Sequence, residues 1–226
     1  MGQHMWETPT LNEIIYAGIL FGWVVFVTLF LCRKIYEVML RRGAPHNVAV
    51  YYNRKIIHIL TGGLVAVLVP LLFNSYLPIA VLVAVLAIGN LLPHIRGKIY
   101  HWYQVPENMF EVHFIIMWGL FMGLGFYLNN LSLGVLPVIF MSVGDGITGL
   151  VRNTIYKRRT KSWWGNIAMG AFCIPVGLFV MGLSGAIAGA GASIVEKFEL
   201  GKIDDNITVP LLSFLLMVIL PWLGVP

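Results

Sequence analysis

The sequence predicts an all-α integral membrane protein with about eight transmembrane helices, and three observations support this fold class. Hydrophobic residues make up 58% of the 226 residues and charged residues only 11%, whereas soluble domains carry about 25% charged residues. The mean hydropathy is +0.83. Several apolar runs reach the roughly 17–25 residues that a helix needs to cross a bilayer. Because unpaired backbone groups are costly in lipid, such runs are predicted to be helices.

Eight apolar runs are the candidate spans, and together they make the chain, residues 1–226, a single transmembrane domain without internal repeats of fixed period. The seventh run is short and rich in small residues, a composition typical of close helix packing. Residues 1–5 are expected to be an added leader ending at the native Met5, and no cleavable signal is expected, because the first run is long and has no basic region before it. The runs cover residues 13–32, 56–73, 76–93, 111–128, 131–151, 166–184, 186–199 and 207–224.

The basic residues alternate with these runs. All 15 Lys and Arg follow the first, third, fifth or seventh run, and the turns after the others have none. The positive-inside rule then predicts that the basic loops are cytoplasmic and that both termini lie outside, in a cell membrane or the endoplasmic reticulum. Of the ten carboxylates in the sequence, only Glu7 and Glu13 are expected on the outer side. The net charge of +5 is thus explained by orientation and phosphate binding, and no nucleic-acid partner is expected.

Four segments on the cytoplasmic side carry candidate chemistry: residues 54–63, 107–113, 141–170 and 196–210. Cysteine does not contribute, because Cys32 and Cys173 both fall in apolar segments, which makes a disulfide framework or a Cys-based metal site unexpected.

The first segment combines two cations with an imidazole. Arg54 and His58 are four residues apart and share one helix face. At the predicted start of the second span, the helix dipole would add to their attraction for an anion. The alternative, that Arg54 and Lys55 only set topology by snorkelling, stays open. His58 lies deeper, where an ionisable group is costly and usually has a role.

The second and fourth segments each allow a structural and a functional interpretation. Glu111 and His113 enter the fourth span, either as part of a site or as surface near the lipid headgroups. Asp204, Asp205 and Asn206 precede the last span, where they suit a helix cap. Facing a metal, this oxygen-rich cluster would supply a second carboxylate.

The central segment places Asp145 between glycines inside the end of the fifth span. A buried carboxylate needs a partner, and the expected partners are the cations of the next loop and Mg²⁺, an ion usually held by one or two carboxylates plus substrate phosphates. A structural arginine is the alternative. A basic run, residues 157–161, follows it. Lys161 precedes a turn and helix start at Ser162 to Gly165, an arrangement that suits a bound phosphate. The rest of the run could serve topology alone.

Three motifs in order resemble the integral-membrane, CTP-dependent lipid kinases, a group that includes the dolichol, phytol and polyprenol kinases and the related diacylglycerol kinases. The similarity extends from about residue 54 to 210, and its wording looks closest to phytol kinases and related archaeal or bacterial polyprenol kinases. Two residues depart from the family pattern: Arg152 stands where many members have Gly, and Asn166 where Ser is usual. The motifs are Arg54-Lys55 with His58 and Gly62, then Gly144-Asp145-Gly146 with Lys161-Ser162, Gly165 and Ala168, and finally Glu196 with Asp205-Asn206 and Pro210.

The resemblance implies a kinase that transfers the γ-phosphate of CTP to the hydroxyl of a membrane isoprenoid alcohol at the cytoplasmic face, with Mg²⁺ as cofactor. The alcohol would be dolichol, polyprenol, phytol or geranylgeraniol. The partners are CTP, the lipid alcohol and the bilayer, and a homo-oligomer is left open. The implied catalytic residues are Asp145, His58 and Glu111; those binding nucleotide or phosphate are Arg54, Lys55, Lys157, Lys161, Ser162, Gly165, Gly144 and Asn206; the metal ligands are Asp145 and Asp205.

Three other functions fit some of the same residues. A CTP-dependent diacylglycerol kinase would change only the acceptor, and a cytidylyltransferase would make a CDP-lipid and release pyrophosphate. A transporter or scaffold is a non-enzymatic alternative. Transporters need polar groups near the middle of the bilayer, whereas the polar residues here cluster at one rim.

Overall fold

The computed structural model describes residues 5–157, 160–198 and 203–225, and within these ranges it is helical and has no β-strand. The prediction of an all-α fold is therefore confirmed. Seven of the described helices are long and apolar enough to cross a membrane. They are α1 (Leu11–Arg41), α2 (His46–Leu72), α3 (Leu77–Ile95), α4 (Phe110–Tyr127), α5 (Leu131–Tyr156), α6 (Trp163–Val195) and α7 (Asp205–Trp222).

Helix α6 reverses direction in its middle, so that two antiparallel arms, residues 163–180 and 183–195, stand where the sixth and seventh apolar runs were expected. Gly182 has a φ of +62° at the reversal, which glycine adopts without steric penalty. The arms touch through glycines: a Cβ at Gly177 would lie 2.1 Å from the carbonyl oxygen of Gly185. The seven helices thus comprise eight helical segments.

Helix α2 begins ten residues before the predicted start of the second span, at His46, with Pro45 as its N-cap. Arg54 and Lys55 consequently lie more than two turns inside the helix. The prediction that a helix N-terminus assists them in binding an anion is wrong, because that effect falls off within the first turn. The helix extends this far because Pro45 is the last proline before Pro70, and proline favours helix starts.

Three helices contain a π turn, in which one extra residue is inserted. These turns lie at Phe26–Leu31 in α1, His58–Gly63 in α2 and Phe140–Gly144 in α5. π turns are rare and frequent at functional sites, and the last two border the polar cluster described below. Tryptophan indoles donate hydrogen bonds to carbonyl oxygens in the first two turns: Trp102 to Thr28 (2.8 Å), Trp23 to Leu60 (2.8 Å) and Trp118 to Gly62 (3.0 Å).

The N-terminal segment closes the end of the bundle away from the polar cluster. Glu13, only 3% exposed, accepts hydrogen bonds from the backbone N–H groups of Asn74 (2.7 Å) and Ser75 (2.9 Å) in the turn between α2 and α3. Its carboxylate also forms a capping box with Thr10 at the start of α1. A buried carboxylate with this many donors fixes the turn firmly.

Candidate functional site

Three carboxylates, two of them buried and one half-buried, meet at one end of the bundle. Asp145 lies in α5, Glu196 directly follows α6, and Asp205 begins α7. One oxygen of each lies within 4.8 Å of the others, and Asp145 and Glu196 are 2% and 1% exposed. The predicted segments 141–170 and 196–210 are therefore in contact. We call these three residues the carboxylate cluster.

Lysine 55 is the partner of Asp145. Its Nζ lies 2.6 Å from both carboxylate oxygens, and its side chain is buried. The lysine crosses α5 where Gly149 has no side chain, since a Cβ there would lie 2.4 Å from Lys55 Cε. His58 Nδ1 lies 3.2 Å from Asp145 Oδ2, and the imidazole stacks on Phe114 with ring centroids 4.1 Å apart. Helix α2 thus supplies the lysine that binds Asp145 and places an imidazole beside it.

Arginine 152 is the partner of Glu196. Its Nη1 and Nη2 lie 2.8 and 2.7 Å from the two carboxylate oxygens, and Nη2 also donates to Asn166 Oδ1 at 2.8 Å. Gly165 leaves room for the guanidinium, because a Cβ there would lie 2.5 Å from Arg152 Nε. The two residues that depart from the kinase pattern, Arg152 and Asn166, are therefore direct neighbours that bind the same carboxylate.

Lysine 161 bridges Glu196 and Asp205, the two carboxylates of the cluster other than Asp145. Its Nζ lies 2.8 Å from Glu196 Oε1 and 3.2 Å from Asp205 Oδ2. Burial lowers the pKa of Lys161, but Asp205 and Glu196 outweigh this effect and raise the pKa above its ordinary value. Burial raises the pKa of Glu196, against the opposing effects of Arg152 and Lys161. Each carboxylate of the cluster thus has a cationic partner, as a buried charge requires.

The carboxylate cluster has the donor set of a hard-cation site. Magnesium prefers carboxylate oxygens and usually takes only one or two protein carboxylates. Asp145 and Asp205, the two predicted metal ligands, both belong to the cluster, and Glu196 lies within ligand distance of them. These three side chains could hold a divalent cation, which would share their oxygens with Lys55, Arg152 and Lys161.

Glu111 is the centre of a second set of hydrogen-bonded polar residues, which lies beside the carboxylate cluster. Its Oε1 is hydrogen-bonded to His94 Nε2 and accepts a bond from Gln104 Nε2 at 2.7 Å. Glu111 is 8% exposed, and its Oε2 is buried with no hydrogen-bond partner among the described residues. Tyr103 completes the group by donating to Asn90 Oδ1 at 2.9 Å. This arrangement leaves one carboxylate oxygen available to a ligand.

An apolar cavity runs between α1, α2, α3 and α4 and begins at this second group. The charged and titratable side chains Arg54, His58 and Glu111 line its end near the carboxylate cluster. The other polar residues of its lining are Thr28, Thr61, Asn90 and Tyr103. The rest of the lining is almost entirely aliphatic and aromatic, and it reaches Phe73 and Ile79 at the far end. His58 therefore belongs to both environments, because it lines the cavity and also lies beside Asp145.

Two other predicted residues lie beside Phe110, at the start of α4. The Arg54 guanidinium sits 3.8 Å from the centre of the Phe110 ring. Asn206 is fully buried and donates to the Phe110 carbonyl oxygen at 3.3 Å. Next to them, Asp204 Oδ2 lies 3.0 Å from His113 Nδ1, and burial raises the pKa of Asp204 although His113 opposes the shift.

The remaining predicted residues have packing or peripheral positions. Gly144 ends a π turn where a Cβ would lie 2.7 Å from Cys173 Sγ. Ser162 is the N-cap of α6, as expected, and its carbonyl oxygen accepts a bond from Arg152 Nε at 3.0 Å. Lys157 is exposed at the end of α5 and makes no ion pair with the carboxylate cluster among the described residues. Arg158, Arg159 and residues 199–202 lie outside the described ranges.

Sequence reasoning missed several polar residues of this region. Arg152 was noted only as a departure from a pattern, and Glu196 only as part of a motif. Asn90 and His94 were missed although they lie four residues apart at the end of one apolar helix, where polar side chains usually mark function. Gln104 gave no such signal, because it lies in a loop.

Comparisons with protein-family models, with curated proteins and with solved structures found no match for this chain.

Proposed function

We propose that this protein is a membrane-bound, CTP-dependent kinase that phosphorylates the hydroxyl of an isoprenoid alcohol. One observation carries the proposal: His58 lies 3.2 Å from Asp145 and also lines the apolar cavity. A lipid hydroxyl at the polar end of the cavity would therefore be next to a charged site suited to phosphates. The exposed apolar side chains on the helices, such as Phe179 and Leu71, agree with a lipid-facing outer surface.

The cations of the site support a phosphorylated co-substrate. Phosphoryl transfer depends mainly on positioning and on neutralising phosphate charge. Lys161 is the most accessible of the described cations that pair with the carboxylate cluster, with 26% of its side chain exposed. Magnesium held by Asp145 and Asp205 would add further neutralisation of the nucleotide phosphates. Lys55 and Arg152 keep the carboxylates in place, because each is bonded to both oxygens of its partner.

The transfer itself forms one bond and breaks one. The alcohol oxygen attacks the γ-phosphorus of CTP, the bond from that phosphorus to the β–γ bridging oxygen breaks, and CDP leaves. The hydroxyl proton passes to Glu111, whose Oε2 has no hydrogen-bond partner in the described part of the chain and whose side chain lines the cavity. Asp145 is less suited to accept this proton, because Lys55 binds both of its oxygens.

A radiolabel assay tests the proposal. Detergent-purified protein is incubated with Mg²⁺, γ-labelled CTP and one lipid, which is geranylgeraniol, phytol, a polyprenol, diacylglycerol or phosphatidate. We expect label in the alcohol fraction, and a loss of about 10²–10⁴-fold for Glu111→Gln, the range of general acid–base contributions. Glu37→Gln is the matched control, because the Glu37 side chain is exposed and its ion-pair partner is the exposed Arg33.

Two outcomes would overturn the proposal. If no alcohol is labelled while phosphatidate and CTP release pyrophosphate, the protein is a cytidylyltransferase. If no nucleotide product forms with any lipid, the enzymatic interpretation fails altogether. Label in diacylglycerol alone would keep the kinase and replace the acceptor.

A further inference from the structure

The apolar cavity ends in a buried floor at the end away from the carboxylate cluster. Val69 and Phe73 of the α2 side and Ile79 of α3 line this end, and they are 1%, 3% and 4% exposed. Phe73 directly precedes the turn whose backbone N–H groups bind the Glu13 carboxylate. The floor therefore rests on a fixed turn, and a chain entering from the polar end would meet a defined limit.

The depth of the cavity follows from helix geometry. Asn90, at its polar end, and Ile79, at its floor, lie eleven residues apart on α3. At a rise of about 1.5 Å per residue, this separation is about 16 Å. The hydrocarbon core of a bilayer is about 30 Å thick, so the cavity is about as deep as one leaflet.

The width of the cavity admits one chain. The centres of water-sized groups can occupy about 110 Å³ in it. Spread over a depth of about 16 Å, this volume corresponds to a mean cross-section of about 7 Å² for those centres. A single hydrocarbon tail suits this shape, whereas the two acyl chains of a diacylglycerol do not.

We propose that the floor formed by Val69, Phe73 and Ile79 sets the maximum tail length of the alcohol, so that the protein selects a single-chain alcohol about one leaflet long. This inference rests on the proposed function. Geranylgeraniol and phytol have tails of this class, whereas the tails of dolichol and long polyprenols far exceed the cavity. Glu111 fixes the hydroxyl at one end, and the floor meets the last carbons of the tail at the other.

Phosphorylation of a length series tests the floor. The substrates are geraniol, farnesol, geranylgeraniol, geranylfarnesol and a long polyprenol. We expect the highest kcat/KM for geranylgeraniol. Val69→Phe should reduce kcat/KM for geranylgeraniol by about tenfold or more and leave geraniol unchanged, since one methylene group in an apolar pocket changes it by about 10–200-fold. Phe73→Ala should raise the kcat/KM for geranylfarnesol, relative to that for geranylgeraniol, by about tenfold.

The matched control is Leu71→Phe, because Leu71 lies between the two altered positions on α2 but is 75% exposed. This variant should keep the length profile of the unaltered protein. A flat profile in the unaltered protein, or an identical profile in Val69→Phe and Leu71→Phe, would overturn the inference.

Photolabelling of the unaltered protein separates this inference from the kinase proposal and does not depend on variants that fold. A geranylgeraniol analogue with a diazirine at the tail end is bound without CTP, irradiated and mapped by peptide sequencing. We expect label within residues 69–79, removed by excess geranylgeraniol. Label there without phosphorylation would refute only the kinase. Phosphorylation with label elsewhere would refute only the floor.

Discussion

The ion pair between Lys55 and Asp145 allows a stringent test of how the site is held together. Lys55 is 3% exposed and Asp145 2%, and both carboxylate oxygens lie 2.6 Å from the lysine Nζ. Removing one partner leaves the other charge buried without its counterion, which typically costs about 3–5 kcal/mol. We therefore expect Asp145→Asn and Lys55→Gln each to destabilise the protein strongly.

The two single variants should lose different amounts of stability. After Lys55→Gln, Asp145 keeps His58 at 3.2 Å, so the loss should fall near the lower end, about 3 kcal/mol. After Asp145→Asn, Lys55 has no carboxylate partner among the described contacts, and the loss should approach about 5 kcal/mol. One kcal/mol lowers the melting temperature of a chain of this size by about 2–4 °C, so decreases of about 6–20 °C are expected.

The double variant Lys55→Gln, Asp145→Asn should recover most of this loss, because replacing both charges of a buried pair is often close to neutral. The assay is thermal unfolding in detergent, followed by tryptophan fluorescence. Exchange of the exposed pair Arg33 and Glu37 by Gln is the control, since such pairs contribute about 0–1 kcal/mol. A double variant whose loss equals the sum of the single losses would refute the pairing. An equally stable but inactive double variant would locate the defect in the chemistry.

Two further changes test local packing. Gly149→Ala should lower the stability by about 1–3 kcal/mol, because a Cβ there would lie 2.4 Å from Lys55 Cε. The control Gly18→Ala, where a Cβ would have nothing within 4 Å, should stabilise the helix by about 0.5–1 kcal/mol. Equal melting temperatures of the two variants would contradict this reasoning. Glu13→Gln should lower the stability by about 1.5–3 kcal/mol, because the buried carboxylate accepts several hydrogen bonds. The control Glu37→Gln, on the surface, should change the melting temperature little. A Glu13→Gln protein as stable as the unaltered one would show that the turn does not depend on this charge.

Much of the architecture follows from simple sequence patterns. Apolar run length predicts the helices, because a buried backbone in a long apolar segment has few alternatives to helix. The glycine-rich stretch around Gly185 predicted close packing, and the structure brings it against Gly177. The burial of Asp145 indicated that it needs a counterion, but the partner is Lys55 of the segment 54–63 and not a cation of the loop that follows α5.

The pairing of individual polar groups could not be predicted in the same way. Arg152 and Glu196 are 44 residues apart, and their contact depends on the reversal of α6, which returns Glu196 to the start of that helix beside Arg152. The start of α2 was placed too late, because the polar residues before Arg54 interrupt the apolar pattern without interrupting the helix. Gln104 reaches Glu111 from a loop, whose path has no periodic signal.

The π turn at His58–Gly63 has a consequence for how helix α2 addresses its neighbours. One inserted residue corresponds to a rotation of about 100° around the helix axis. The helix therefore behaves as two short rods with a fixed angular offset, one carrying Lys55 to the charged cluster and the other carrying Val65 and Val69 to the cavity. A helical wheel drawn through the whole of α2 would misplace one of these two faces. The offset lets a single helix present a cation to one compartment and an apolar wall to another.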